Sequence, residues 1–281
     1  MTFAQAMLLA ILQGFSELFP ISSLGHTVLI PALLHWNIDL ASPSFLAFVV
    51  VLHLGTALAL LAFYWREWRG IVVAFLESIV RGRFSGSTDE KTAWLLVVGT
   101  VPVGLLGLFF EHQVRSLFAS PIPVAIFLAI NGLVMFAGEW LRGKDGGQRP
   151  LVSLSYFGAA KVGLAEALAL LPGISRSGTA IVAGLLMNLS EAEAARFSFL
   201  LGTPVILAAG VLEVPRLFDS TAHVELVQAI LGGILSAVTA YISLAFLTRY
   251  FRSNDLRPFG WYCVAAGTIC FVLFFSGMVK A

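Results

Sequence analysis

Two short stretches hold nearly all the residues in this chain whose types and spacing could do chemistry. The first, QGFSELFPISSLGH at 13–26, places Glu17 three residues before Pro20, with Ser22, Ser23 and His26 just beyond it. A carboxylate, two hydroxyls and an imidazole so close together can attack an electrophile, orient it and move its protons. The second, PGISRSGT at 172–179, places Arg176 between Ser175 and Ser177, with Gly178 and Thr179 at the expected start of a helix. Backbone N–H groups at a helix N-terminus attract phosphate, glycine permits close approach, and a guanidinium grips phosphate through two parallel hydrogen bonds. Ser22, Ser175, Arg176, Ser177, Gly178 and Thr179 form the candidate phosphate-binding set, and Glu17, Ser23, His26 and Arg176 the candidate catalytic set. Combined, the two stretches read as a site for phosphoryl transfer.

Each stretch also has a structural reading. The serines can cap a returning helix, His26 can sit satisfied at a helix interface, and Arg176 can pair with Glu17 or Glu166 solely to hold two parts of the chain together. Glu17 is in addition a candidate ligand for a divalent cation. Mg²⁺ is the expected one, because it takes a few carboxylates together with substrate phosphate, although no three-ligand constellation is legible.

The elements that must position these residues are apolar. Of 281 residues, 58% are hydrophobic and 12% charged, far greasier than a soluble chain. The expected fold is an all-α polytopic membrane protein forming one integral domain over 1–281. The net charge of +1 gives no basis for a nucleic-acid partner; membrane lipids are the expected surroundings, and self-association is compatible with the sequence. Cys263 and Cys270, seven apart on one apolar segment, read as packing residues, and the N-terminal segment reads as retained rather than cleaved.

A crossing helix needs roughly 20 mostly apolar residues, which six segments satisfy: 45–65, 92–110, 121–141, 196–212, 226–248 and 258–279. Residues 3–34 and 156–189 are instead interrupted by PISSLGH and PGISRSG, so each reads as a helix–turn–helix pair that enters the membrane and returns. Such breaks are tolerated only where protein or a water-filled cavity satisfies the backbone. Arg66, Arg69, Arg81, Arg83, Lys91, Arg142, Lys144, Arg149, Arg249, Arg252 and Arg257 mark one set of connections as cytoplasmic. The alternate connections, 35–44, 111–120 and 213–225, carry only Arg115 and Arg216, with Glu213, Asp219 and Glu225 in the last, and read as outward-facing. Both broken motifs share a pattern of Gly, two residues, Glu, a short apolar stretch and a Pro-led, serine-rich turn. Each is followed by three spans, so the halves 1–150 and 151–281 read as an inverted repeat with its site where the broken helices meet.

Other polar residues are read as structural. His53, alone in VVLHLGT, reads as a hydrogen-bonded packing residue; Lys161 reads as snorkelling to the cytoplasmic surface; and Lys161 and Glu166, five apart, do not face each other. GRFSGSTDEK at 82–91 and GKDGGQ at 143–148 read as exposed loops.

ELFPISSLGH and LLPGISRSGT resemble the two signature motifs of the undecaprenyl-pyrophosphate phosphatase family linked to bacitracin resistance. LHLGT, VPVGLLGL, ARFSFLLGTPVILAAG and LRPFGWY are similar to family segments in the same order. The resemblance implies removal of one phosphate from a C55 polyprenyl pyrophosphate at the outer face of the bacterial cell membrane, regenerating the lipid carrier for cell-wall synthesis. It places the family's catalytic glutamate on Glu17, its serine on Ser23, its histidine on His26 and its arginine on Arg176, with supporting roles for Ser22, Ser175 and Ser177. Gln13 stands where some members have a second glutamate, Val49 where an acidic residue is common, SGTA where SGAT is usual, and Cys263 where an arginine follows the tyrosine. A rival reading from another class is a polyprenyl-phosphate transporter or flippase, since broken helices in an inverted repeat are transporter architecture.

Overall fold

The computed structural model describes the chain apart from residues 41, 118–119, 143–146, 218–224 and 280–281, and apart from the side chains of 111–117 and 212–217. Arg115, Lys144, Glu213, Arg216 and Asp219, used above for orientation, therefore lie outside the described residues. What is described is helical, and six helices are long and apolar enough to cross a membrane. These are α3 (Pro43–Phe63), α5 (Thr88–Leu117), α6 (Pro121–Leu141), α9 (Glu191–Leu217), α10 (Leu226–Tyr250) and α11 (Arg257–Phe275). The six match the six expected segments, with ends displaced by a few residues. Helices continue past the apolar window wherever a first turn can hold acidic side chains, as Glu191 and Glu193 do in α9. The chain is a multi-pass membrane protein.

The two interrupted regions are each broken in two. In the first, α1 (Phe3–Ser16) opens on a capping box between Thr2 and Gln5, and α2 (Ser23–Leu33) begins at the Ser22 cap. The second consists of α7 (Tyr156–Glu166), a 3₁₀ turn at Ala167–Leu170, and α8 (Arg176–Leu186) capped by Ser175. At 1.5 Å per residue the 11 residues of α2 or α8 reach only about half of a ~30 Å hydrocarbon layer. Pro20 and Pro172, which lack an N–H, sit in the two breaks.

The shared Gly-x-x-Glu spacing has a packing cause. α1 lies along α10 and α7 along α5. A Cβ on Gly14 would collide with Thr239 and the Ser236 carbonyl, and one on Gly163 with the Gly99 carbonyl. Each bare glycine lets the short helix touch a long span, and the glutamate three residues later arrives at the break.

One element was not foreseen. The connection after α3 begins with helix α4 (Trp65–Arg81), whose Ile71 and Ser78 are buried against α5, where Trp94 Nε1 donates to Ser78 Oγ at 3.1 Å. Trp68 and Phe75 pack beside them, while Val72, Val73, Leu76, Ile79 and Val80 are exposed. A search for 20-residue apolar runs passes over such an amphipathic helix. The loop expected at 82–91 is shorter than read: α5 starts at Thr88, and Glu90 is buried because its carboxylate accepts from the Ser85 and Gly86 amides and the Ser85 hydroxyl.

Candidate active site

Glu17 occupies the C-cap of α1 and is buried. Its Oε2 accepts from Ser23 Oγ at 2.6 Å and from Gln13 Nε2 at 3.0 Å, and lies 3.3 Å from His53 Nε2. Its Oε1 accepts from Arg176 Nη2 at 3.1 Å and Nε at 3.3 Å. Arg176 Nη1 donates to Glu166 Oε1 at 3.2 Å. The two stretches singled out in the sequence thus meet in one buried cluster. Arg176, 159 residues away in sequence, bridges the carboxylates at the ends of α1 and α7.

His53 projects from α3 into this cluster, and its Nδ1 lies 2.9 Å from the Val49 carbonyl. Both ring nitrogens therefore face acceptor oxygens, an arrangement satisfied in full by a ring carrying two N–H donors. The histidine beside Glu17 is therefore His53, which reads from the sequence as a hydrogen-bonded packing residue, and not His26. His26 turns away because α2 rotates it by three residues from Ser23: its Nδ1 lies 2.7 Å from the Ser22 carbonyl, and its Nε2 lies 2.7 Å from the Tyr262 hydroxyl of α11. The His26 and Tyr262 rings stack with centroids 5.7 Å apart.

The remaining candidates mostly lock the two breaks together. Ser22 Oγ accepts from Gly25 N within its own turn and from Gly173 N in the other, each at 3.2 Å. Ser22 does this at φ +68°, a conformation that costs a non-glycine residue about 1–3 kcal/mol and persists only where surroundings enforce it. Ser177 Oγ donates to the Phe19 carbonyl at 3.2 Å and lies 3.1 Å from Ser175 Oγ, which accepts from Gly178 N at 3.1 Å. Thr179 Oγ1 donates back to the Ser175 carbonyl at 3.0 Å. These side chains are engaged within the fold, as are the Gly178 and Thr179 amides, leaving the Arg176 and Ser177 amides at the start of α8 and the remaining guanidinium N–H groups as donors for an anion. Of the Arg176 side chain 13% is exposed, against 6% for Glu17 and 0% for Glu166.

Asn131, in the middle of α6, was not singled out in the sequence, although a lone amide in an apolar span is a signal in itself. Its Nδ2 donates to the Pro20 carbonyl at 3.0 Å and its Oδ1 accepts from Ser175 N at 2.9 Å. One side chain thereby ties both breaks. Cys263, one of the departures from the family pattern, packs here too, with Sγ 3.4 Å from Asn131 Nδ2. Cys263 and Cys270 are both free and buried, as packing residues are. Lys161 lies over the Phe157 ring, 4.6 Å from its centroid, and takes no part in the cluster.

A divalent cation on Glu17 does not fit this donor set. Both carboxylate oxygens already face donors, one of them a guanidinium, and Gln13 supplies an amide N–H where a second carboxylate would be needed. Among the described residues no group of three His, Cys, Asp or Glu side chains is placed to hold a metal. What the arrangement can do is bind an oxyanion at Arg176 and take a proton from Ser23 onto a carboxylate oriented by an imidazole, the nucleophile–base–orienter order of many hydrolases.

An all-helical membrane fold with such a site at two facing helix breaks defines a membrane-embedded hydrolase or carrier of phosphate-bearing molecules. The bacitracin resistance protein BacA family model matches residues 6–269, and the chain belongs to that family. It is 48% identical over 269 residues to undecaprenyl-diphosphatase 2 of Chromobacterium violaceum, covering 94% of this chain and 96% of that one. It is 45% identical over 293 residues to undecaprenyl-diphosphatase of Mycolicibacterium paratuberculosis, covering 95% of each. To undecaprenyl-diphosphatase of Acidiphilium cryptum it is 48% identical over 276 residues, covering 95% of this chain and 96% of that one.

Proposed function

We propose that this protein hydrolyses undecaprenyl (C55) pyrophosphate to undecaprenyl phosphate and inorganic phosphate, recycling the lipid carrier of peptidoglycan synthesis and lowering sensitivity to bacitracin. The observation that carries this reading is the convergence on Glu17 of Ser23 from one break and Arg176 from the other. Family membership and the names of the relatives support the substrate. The halves 1–150 and 151–281 act as an inverted repeat, a view supported by the corresponding pairings of α1 with α10 and of α7 with α5. The site opens to the outer face of the bacterial cell membrane, as the distribution of Lys and Arg supports.

In the proposed reaction Arg176 holds the terminal phosphate. Ser23 Oγ attacks its phosphorus and passes its proton to Glu17. The bond from phosphorus to the bridging oxygen breaks, and the electron pair leaves on undecaprenyl phosphate. Water then attacks the phosphoserine while the Ser23 oxygen leaves with the proton that Glu17 held; the proton given up by water passes through the freed Glu17 carboxylate to solvent, which restores the base. His53 holds Glu17 in place throughout, and catalysis is mostly positioning and charge stabilisation. A divalent cation would act here as a counter-ion of the pyrophosphate substrate, and every step above is carried by the chain's own residues.

The test is phosphate release from C55 pyrophosphate by purified protein, wild type beside Glu17→Ala, Ser23→Ala and Arg176→Ala. Loss in all three supports a phosphatase using both breaks. No release by well-folded wild type, with and without Mg²⁺, would reject it.

A further inference from the structure

Glu166 has no role in the reaction just described, yet it is 1% exposed and bound to the residue that must hold the phosphate. Three of the five Arg176 N–H donors are directed at carboxylates: Nε and one on Nη2 at Glu17, and one on Nη1 at Glu166. The two left over sit on different nitrogens, one on each Nη. Those two can point the same way and grip a phosphate end-on, and a phosphate held there shares Nη1 with Glu166 and lies against its carboxylate.

The two carboxylates are not equally held. Glu17 is surrounded by Gln13, Ser23, His53 and Arg176. Glu166 has Arg176 alone, and its second oxygen, Oε2, is buried with no hydrogen-bond partner among the described residues. Arg176 is backed by α9, its guanidinium lying against the bare α-carbon of Gly202 with Cζ 2.6 Å from where a Cβ would stand. The group that yields is Glu166.

Resting on the phosphatase reading, we propose that Glu166 is a specificity-determining residue, a built-in anionic competitor that occupies Arg176 Nη1 between turnovers and is displaced by the terminal phosphate. A carboxylate next to the bound phosphate weakens every phosphate at this position by like-charge repulsion. The pyrophosphate substrate recovers the loss through its second phosphate and its prenyl chain. Free inorganic phosphate, the product, has neither, so the competitor discriminates against product and speeds its departure.

The experiment uses the full chain in detergent, with inorganic phosphate and inorganic pyrophosphate as probes of the Arg176 position. Binding is read by thermal shift, which needs no turnover, and inhibition is read during hydrolysis of C55 pyrophosphate. Glu166→Gln keeps the shape and removes the charge. It is expected to bind both probes about tenfold more tightly, to lower KM, and to leave kcat unchanged or reduced as product release slows. Glu166→Asp, whose shorter side chain releases Nη1 while keeping the charge, is expected to shift affinity in the same direction by less, and serves where the Gln variant does not fold. Unchanged or weaker probe binding in these variants, at a wild-type melting temperature, overturns the proposal and makes Glu166 a clamp that positions Arg176. That result would leave hydrolysis by the wild type intact. A wild type that neither binds pyrophosphate nor releases phosphate would overturn the phosphatase reading and this proposal with it.

Discussion

His53 Nε2 and Glu17 Oε2 stand 3.3 Å apart, joining the middle of α3 to the end of α1 at the point where Ser23 also donates. A hydrogen bond to a charged group contributes about 1.5–3 kcal/mol, equivalent to roughly ten- to a hundredfold in rate if it acts in the transition state. His53→Leu is expected to lower kcat by that factor, and His53→Gln, which retains a donor, to lower it less. Steady-state phosphate release measures both. A His53→Leu enzyme with wild-type kcat would remove the imidazole from the reaction.

Ser23 and His26 are distinguished by their partners. The Ser23 hydroxyl contacts Glu17, while both ring nitrogens of His26 are engaged by Ser22 and Tyr262. Ser23→Ala is expected to reduce kcat by at least about a hundredfold, and His26→Gln by clearly less. Rapid quenching and mass spectrometry should find transient phosphate on Ser23. Phosphate on His26, or incorporation of one labelled water oxygen in a single turnover without any adduct, would replace this route.

Arg176 is expected to respond differently to two substitutions. Arg176→Lys keeps the charge but loses the planar fork, and should cost about a hundredfold or more in kcat/KM with a modest change in melting temperature. Arg176→Ala leaves Glu17 and Glu166 buried together, and should also lower stability by about 3–5 kcal/mol. Comparing kinetics with thermal melts separates the two effects.

Asn131→Ala removes a donor from the Pro20 carbonyl and an acceptor from Ser175 N. The buried Ser175 amide is left without a partner, at a cost of about 1–3 kcal/mol, and the Pro20 carbonyl keeps only the weak Cys263 thiol donor at 3.8 Å. The variant should melt earlier and lose activity without any change in residues that touch substrate. Asn131→Ala with a wild-type melting temperature would mean that the breaks are held by their other cross-links, at Ser22 and Ser177.

Chelation of divalent cations should raise KM for C55 pyrophosphate and leave the melting temperature unchanged, since the donor set around Glu17 does not suit a resident metal. A fall in melting temperature on adding EDTA, restored by Mg²⁺, would point to a protein-held cation instead.

Much of this could be read from the chain itself, for definite reasons. Long apolar runs separate cleanly from charged connections, so the six spans were legible, and Pro20 and Pro172 interrupt the other two regions. Glu17, Ser23 and Arg176 stood out because polar groups are costly among apolar residues. α4 was missed because its hydrophobicity is periodic rather than continuous. The contact of His53 with Glu17 was not legible, because a lone histidine in an apolar span gives no sign of its partner, and the same holds for Asn131.

By itself the sequence determined where helices run and break, because apolar length and proline act locally along the chain. Only the tertiary structure decided which polar groups meet. Whether Glu17 faced His26, nine residues away, or His53, 36 residues away, depended on how α1 and α3 each pack on α10, through Gly14 and Gly55, and on the rotation of α2 about its axis. Charge pairing across the fold is a property of that packing, and no local preference encodes it.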